Sequence, residues 1–135
     1  MTFITWTQEQ FATQVAKHDE EHKHIFHLLN GLHDSIGTGD RRTVGVALDG
    51  LIAFVAHHFA SEEQNMGAVG YHALGQHKRE HEVLVQTCLD LQKQFHDGRV
   101  DVTEETTGFL RDWLTRHIPQ VDRMYGPALT AGGVS

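Results

Sequence analysis

Seven residues of this 135-residue chain combine types and spacings that suit metal coordination: His22, His58, Glu62, His77, His81, His117 and Asp122. His58-x-x-x-Glu62 and His77-x-x-x-His81 are i, i+4 pairs. On a helix such pairs share one face, with Cβ atoms about 5–6 Å apart. His117 and Asp122 are five residues apart, and five residues turn about 140° past a shared face. Pro119 lies between them. It lacks an N–H and clashes with the preceding turn, so it predicts a kink or helix restart that swings Asp122 back towards His117.

These residues need elements to position them, and hydrophobic periodicity supplies four. Gly37 to Asp40, Gly67 to Gly70 and His96 to Thr103 punctuate the chain. Helices are expected over 18–37, 41–65, 71–96 and 104–127. An N-terminal arm (1–17) and a flexible tail (128–135) flank them in a single domain, 1–135. Ile25, Leu29, Leu32 and Ile36 follow His22 at steps of three and four. Val44, Leu48, Leu51 and Val55 lead to His58 and Glu62 in the same way. His77 and His81 lead into Leu84, Cys88, Leu91 and Phe95; Leu110 and Trp113 lead to His117. Each set lies on one helix face. The fold class is therefore all-α: an up-down-up-down antiparallel four-helix bundle with an N-terminal extended arm. Asp40 and Thr103 are expected N-caps, and Gly37 and Gly98 expected stops.

The polar residues occupy the start, end, start and end of the successive apolar stripes. In an antiparallel bundle those four ends converge. Burying five imidazoles and two carboxylates together costs several kcal/mol per uncompensated ion, and a bound metal offsets that cost. Seven ligands exceed the four that one zinc takes. An imidazole-rich set without thiolate suits iron, copper or zinc, and disfavours calcium and magnesium. Two octahedral ions offer about twelve positions. Five imidazoles, two bridging carboxylates and a shared oxygen bridge leave one open, which suits a small molecule such as O₂.

Composition excludes several other functions. The formal charge is −7, from 11 Lys and Arg against 18 Asp and Glu. No basic run exceeds two residues, so neither a nucleic-acid footprint nor a polybasic membrane patch is expected. The longest apolar run, Leu51 to Ala56, is far short of a membrane span. The first residues do not read as a signal peptide. Cys88 is the sole cysteine, which fits a reducing compartment, and a cytoplasmic location is expected. On the inward face of the third helix it reads as an inert small hydrophobe.

The stretches Asp19 to Lys23, His58 to Glu63, Gly70-Tyr71, His77 to His81 and Trp113 to Asp122 resemble the hemerythrin family in its single-domain bacterial form, bacteriohemerythrin. The family pattern H…HxxxE…HxxxH…HxxxxD is met at every position, and the resemblance runs from Trp6 to Tyr125. It implies reversible O₂ binding for storage, transport or delivery, and not an enzyme. The implied cofactor is two iron ions, Fe²⁺ or Fe³⁺, joined by an oxo or hydroxo bridge, with O₂ as ligand. It implies that His77, His81 and His117 hold the saturated iron, that His22 and His58 hold the iron with the open position, and that Glu62 and Asp122 bridge. Trp113, Phe59, Leu114 and Ile25 are candidate pocket walls. The partners expected are O₂ and an oxygen-consuming recipient, with no nucleic acid, no membrane span and a monomeric state. The alternatives are an O₂, redox or nitric oxide sensing domain, or a di-iron peroxidase or oxidase; a sensor would need an output module beyond these residues.

Seven histidines fall outside the motif: His18, His24, His27, His33, His57, His72 and His96. Most read as solvated. His18 stands four residues before His22 where the family usually has an aliphatic residue, and packing at the bundle end is expected, with a contact behind the ligands, a proton path or a stray metal site as alternatives. His72 replaces a usual Pro after Gly-Tyr. Tyr71 and Tyr125 read as structural, with hydroxyls that find polar partners.

Overall fold

The computed structural model describes residues 3–135, and all regular structure among them is helical. Six α-helices are present: α1 (Gln8–Phe11), α2 (Ala16–Ile36), α3 (Arg41–Ala68), α4 (Leu74–His96), α5 (Glu104–Gln120) and α6 (Gly126–Ala131). A 3₁₀ turn, Asp122–Tyr125, joins α5 to α6. The long helices α2 to α5 form the bundle, in which α2 packs on α3 and α5, and α3 packs on α4.

Local chemistry sets the ends. Asp40 caps α3, its Oδ1 accepting from the Arg42 N–H at 3.2 Å and its Oδ2 from the Thr43 hydroxyl at 2.6 Å. Thr103 precedes α5 without a side-chain cap bond, and Glu104 and Glu105 favour that end through the helix dipole. Gly98 ends α4 at φ +78°, and the Arg99 N–H reaches back to Gln94 O at 2.9 Å. That 6→1 bond after a left-handed glycine is the Schellman arrangement. Gly37, expected as a stop, keeps right-handed geometry; the left-handed turn falls at Gly39.

Among its described residues the arm carries the single turn of α1 and a left-handed Gln14 (φ 74°), and it is tied down; residues 1 and 2 of the expected arm lie outside the described residues. Asn30 clamps Ile4 in both directions, each hydrogen bond 2.9 Å long. Ile4 and Phe11 are buried, and Phe11 meets Phe26 edge-on. The chain end packs as well: Leu129 in α6 is fully buried, and Val134 packs against the same cluster. A Cβ on Gly126 would stand 2.1 Å from the Thr13 carbonyl oxygen. Only glycine lets α6 close onto the arm.

Buried apolar side chains form two clusters. The larger holds Ile25, Leu29, Leu48, Leu51, Val55, Leu84, Cys88, Leu110 and Leu114, among others. The smaller holds Val15, Met66, Tyr125 and Leu129. Along α3 and α4 the predicted ligands fall between residues of the first cluster and Met66 of, or Leu74 packed on, the second, and Val15 before α2 and Tyr125 after α5 place the second cluster beyond His22 and Asp122. The polar layer is thus walled above and below by apolar side chains. The bundle also explains the hydropathy of α3. That helix is long and apolar enough, by length and composition alone, to cross a membrane. Its apolar residues Val44, Leu48, Leu51, Val55 and Phe59 are core residues, and it carries the buried His58 and Glu62.

Candidate metal centre

The seven sequence-predicted ligands meet in that layer, each at most 2% exposed. Their side chains form two groups that share one member. His77, His81, His117 and Asp122 are one; His22, His58, Glu62 and Asp122 are the other. Within each group, potential ligand atoms lie within 4.8 Å of one another.

Asp122 faces both groups with different oxygens. Its Oδ1 is 2.9 Å from His77 Nε2 and 2.9 Å from His117 Nε2, and its Oδ2 is 3.0 Å from His22 Nε2. Glu62 Oε1 lies 3.3 Å from both His58 Nε2 and His81 Nε2. Its Oε2 is 3.5 Å from His22 Nε2. Two ligand atoms bound at right angles, each about 2.1 Å from one ion, stand about 3.0 Å apart. The observed separations have that scale.

A pairwise hydrogen-bonded network does not account for them. The Nε2 atoms of His22, His58, His77, His81 and His117, with Glu62 Oε1 and Asp122 Oδ1, are buried without a hydrogen-bond partner. A buried polar atom left unsatisfied costs about 1–3 kcal/mol. Seven in one layer, with basic nitrogens and anionic oxygens aimed at the same two spaces, fit two borderline metal ions. A donor set of imidazole and carboxylate suits iron.

Asp122 reaches the layer because α5 ends there. Pro119 offers no N–H to the Thr115 carbonyl, regular α geometry ends at Val121 (φ −117°, ψ −57°), and the chain tightens into the 3₁₀ turn.

Electrostatics pull the free side chains towards ion pairs. Burial opposes charge on His58, but Glu62, Glu21 and Asp122 outweigh it and push its pKa up to about 10. His22 and His117 are likewise raised against burial, by Asp122 and Glu62. Burial also opposes the Glu62 and Asp122 carboxylates, yet the surrounding imidazoles hold both below the usual carboxylate range. A metal ion supplies the same positive charge without protons.

Behind the ligands stands a ring of carboxylates that sequence reading assigned no role. Glu21 accepts from the His58 Nδ1–H at 2.9 Å, Glu63 from the His81 Nδ1–H at 2.9 Å and Glu80 from the His117 Nδ1–H at 3.1 Å. Each leaves the next ring nitrogen, Nε2, aimed inward with its lone pair. Each Glu adjoins a ligand on its own helix (His22, Glu62, His81) and reaches a ligand on the following helix. That adjacency is the signal the sequence held. His22 Nδ1 has no partner.

Tyr125, read as structural, donates to Glu62 Oε2 at 2.5 Å. Burial, Glu62 and Asp122 together push its own pKa well up. Phe59 stacks on His81 at 3.7 Å and Trp113 on His117 at 4.2 Å between ring centroids. Ile25 and Leu114 line a small apolar cavity, about 20 Å³, that continues through Leu29, Leu84 and Cys88. Burial pushes the Cys88 thiol up to about 11, in keeping with an inert side chain.

Of the histidines outside the motif, His18 packs inside as expected, and His33, expected in solvent, is half-buried. His18 is fully buried, where burial lowers its pKa against the pull of Glu21. His33 is half-buried, stacked on Phe3 at 3.8 Å, with Nδ1 2.9 Å from the Thr107 hydroxyl. Both lie on faces of α2 that the arm and neighbouring helices cover. His24, His27, His57, His72 and His96 are exposed.

Comparison with known proteins places this layout. The hemerythrin HHE cation binding domain matches residues 13–129. The bacteriohemerythrin of Methylococcus capsulatus (Bath) is 50% identical over 131 residues, covering 97% of this chain and all of that one. The myohemerythrin of Theromyzon tessulatum is 30% identical, covering 87% of each. A crystal structure of wild-type hemerythrin superposes with a TM-score of 0.94 at 49% identity, covering 95% of this chain and 98% of that one. The match spans both apolar clusters and the polar layer between them, and the chain belongs to the hemerythrin family.

Proposed function

We propose that this chain binds O₂ reversibly at a di-iron centre held by His22, His58, Glu62, His77, His81, His117 and Asp122, and serves oxygen storage, transport or delivery. Oxygen binding at a non-haem di-iron centre is the function of the hemerythrin family, whose members are binding proteins rather than enzymes. In this reading His77, His81 and His117 would hold one iron, His22 and His58 would hold the other, where O₂ would bind, and Glu62 and Asp122 would serve both. The observation that carries the assignment is the set of seven buried ligand atoms with no other partner.

When bound, the irons supply reversible electron exchange with O₂, which no side chain here offers. The protein does the rest. Glu21, Glu63 and Glu80 fix three imidazole tautomers and orientations. Tyr125 holds Glu62 Oε2 and so fixes that carboxylate's rotation. Phe59 and Trp113 cover imidazole faces, and with Ile25 and Leu114 they keep water from the layer. A dry wall favours an apolar diatomic over charged competitors.

One chain contributes all seven side chains, which supports action as a monomer. The lone buried Cys88 supports a reducing, cytoplasmic setting, and an oxygen-consuming recipient is the natural partner. The experiment is iron loading of His58→Ala and Glu62→Ala. Both variants should fall below two irons per chain and lose reversible O₂ binding. Full O₂ binding by both would refute the ligand assignment.

A further inference from the structure

His18 is the buried titratable side chain that the di-iron site leaves unused. It lies on α2, one turn before His22, with no solvent exposure. Its Nε2 meets Asn65 Nδ2 at 3.0 Å. Its Nδ1 meets Glu21 Oε1 at 2.7 Å. The same oxygen accepts from His58 Nδ1 at 2.9 Å.

The chemistry gives this chain of contacts one direction. An amide nitrogen only donates, so His18 Nε2 is the acceptor. A neutral ring then carries its single proton on Nδ1 and donates it to Glu21. Glu21 receives two N–H groups on one oxygen, one from His18 and one from His58. Without the first, a side chain that is 13% exposed is free to turn towards water. With it, the carboxylate is locked against His58. Packing alone does not call for this choice, because the edge contacts that His18 makes with the Tyr125 and His58 rings are ones an aliphatic side chain would also cover.

We propose that His18, set by Asn65, is a positioning residue that fixes Glu21 and through it the orientation and basicity of His58. The proposal rests on the ligand assignment above. Its consequence is asymmetric. His58 belongs to the group with His22 and Glu62, and also to one with His18 and Glu21, whereas His77, His81 and His117 form a group without it. Loss of His18 therefore weakens one metal position and spares the other.

The test is an anaerobic titration of metal-free full-length protein with cobalt(II), followed through its visible bands. Wild type should take up two ions. His18→Leu should weaken one step by about 10-fold, the low end of the effect of a partner behind a metal-bound imidazole. That step should be the one His58→Ala abolishes. His18→Asn, which keeps an N–H donor near the Nδ1 position, should restore most of the loss. Adding His18→Leu to Glu21→Gln should cost nothing beyond Glu21→Gln alone. Asn65→Ala, on a different helix, should weaken the same step and keeps the test available if His18→Leu does not fold. Equal weakening of both steps, or no weakening, or additive losses with Glu21→Gln, would overturn the proposal while leaving the ligands in place. Fewer than two ions in wild type would overturn the ligand assignment, and the proposal with it.

Discussion

At the scale of single residues, the centre is a contest between protons and metal for the same atoms. His22, His58 and His117 have raised pKa values in the metal-free protein. His58, pushed up to about 10, carries a proton near neutrality that metal must displace, and the shifts of His22 and His117 act in the same direction. Loading with ferrous iron at pH 7 should therefore release protons, read by calorimetry in buffers of different ionisation enthalpy; a heat independent of buffer would contradict this. The stability of the metal-free protein follows the same groups. A raised imidazole stabilises fully below its unfolded value of 6.5, and for His58 that contribution fades as pH climbs through about 10. The lowered carboxylates Glu62 and Asp122 act oppositely, stabilising above their unfolded values and failing in acid. Urea midpoints of the metal-free protein should peak between about pH 4.5 and 6.5 and decline towards pH 10, whereas the iron-loaded protein should show no decline through neutrality. Tyr125→Phe leaves Glu62 Oε2 without its hydroxyl donor, and a hydrogen bond to a charged group is worth about 1.5–3 kcal/mol. The variant's denaturation midpoint should drop accordingly with helix content unchanged. The clustering of the seven candidate ligands was legible in the sequence because seam polarity on four amphipathic helices is anomalous. Glu21, Glu63 and Glu80 were not, because a Glu beside a ligand has the same appearance as an ordinary solvated residue until the neighbouring helix is in place.

At the scale of elements, helix breaks matter as much as helices. The periodicity of α2 to α5 follows directly from their apolar steps, and the break after Pro119 was foreseeable from proline's missing donor. The 3₁₀ turn and α6 had no such pattern. Six residues are too few to show a helical period, and Gly126 and Pro127 fall at the end of the expected fourth helix (104–127) rather than at the start of a separate one. Their role depends on a contact distant in sequence, the Thr13 carbonyl against Gly126. Gly126→Ala should accordingly destabilise the protein by about 1–3 kcal/mol, as overpacking does, although alanine is the better helix former. A thermal or urea midpoint equal to wild type would remove α6 from the account. Tyr125 immediately precedes this contact, so the same substitution should also loosen its hydrogen bond to Glu62.

At the scale of the whole molecule, the polar layer sits between two apolar clusters and joins all four long helices. Metal-free protein keeps the clusters but holds the layer through mutually opposed charges and unpartnered atoms. Binding to the folded state alone adds about 4 kcal/mol of stability when free metal is a thousandfold above its dissociation constant. Chelation should lower the thermal midpoint clearly and loosen α2 to α5 together, which hydrogen exchange would read as loss of protection on both sides of the layer. The central claim, reversible O₂ binding at the di-iron centre, is tested most directly by optical titration. Iron-loaded, reduced protein is mixed anaerobically with increasing O₂, and the O₂ is then removed. A visible absorption band that saturates with O₂, at two irons per chain, and disappears on its removal is the predicted result. Consumption of O₂ with irreversible passage to the ferric form would contradict it.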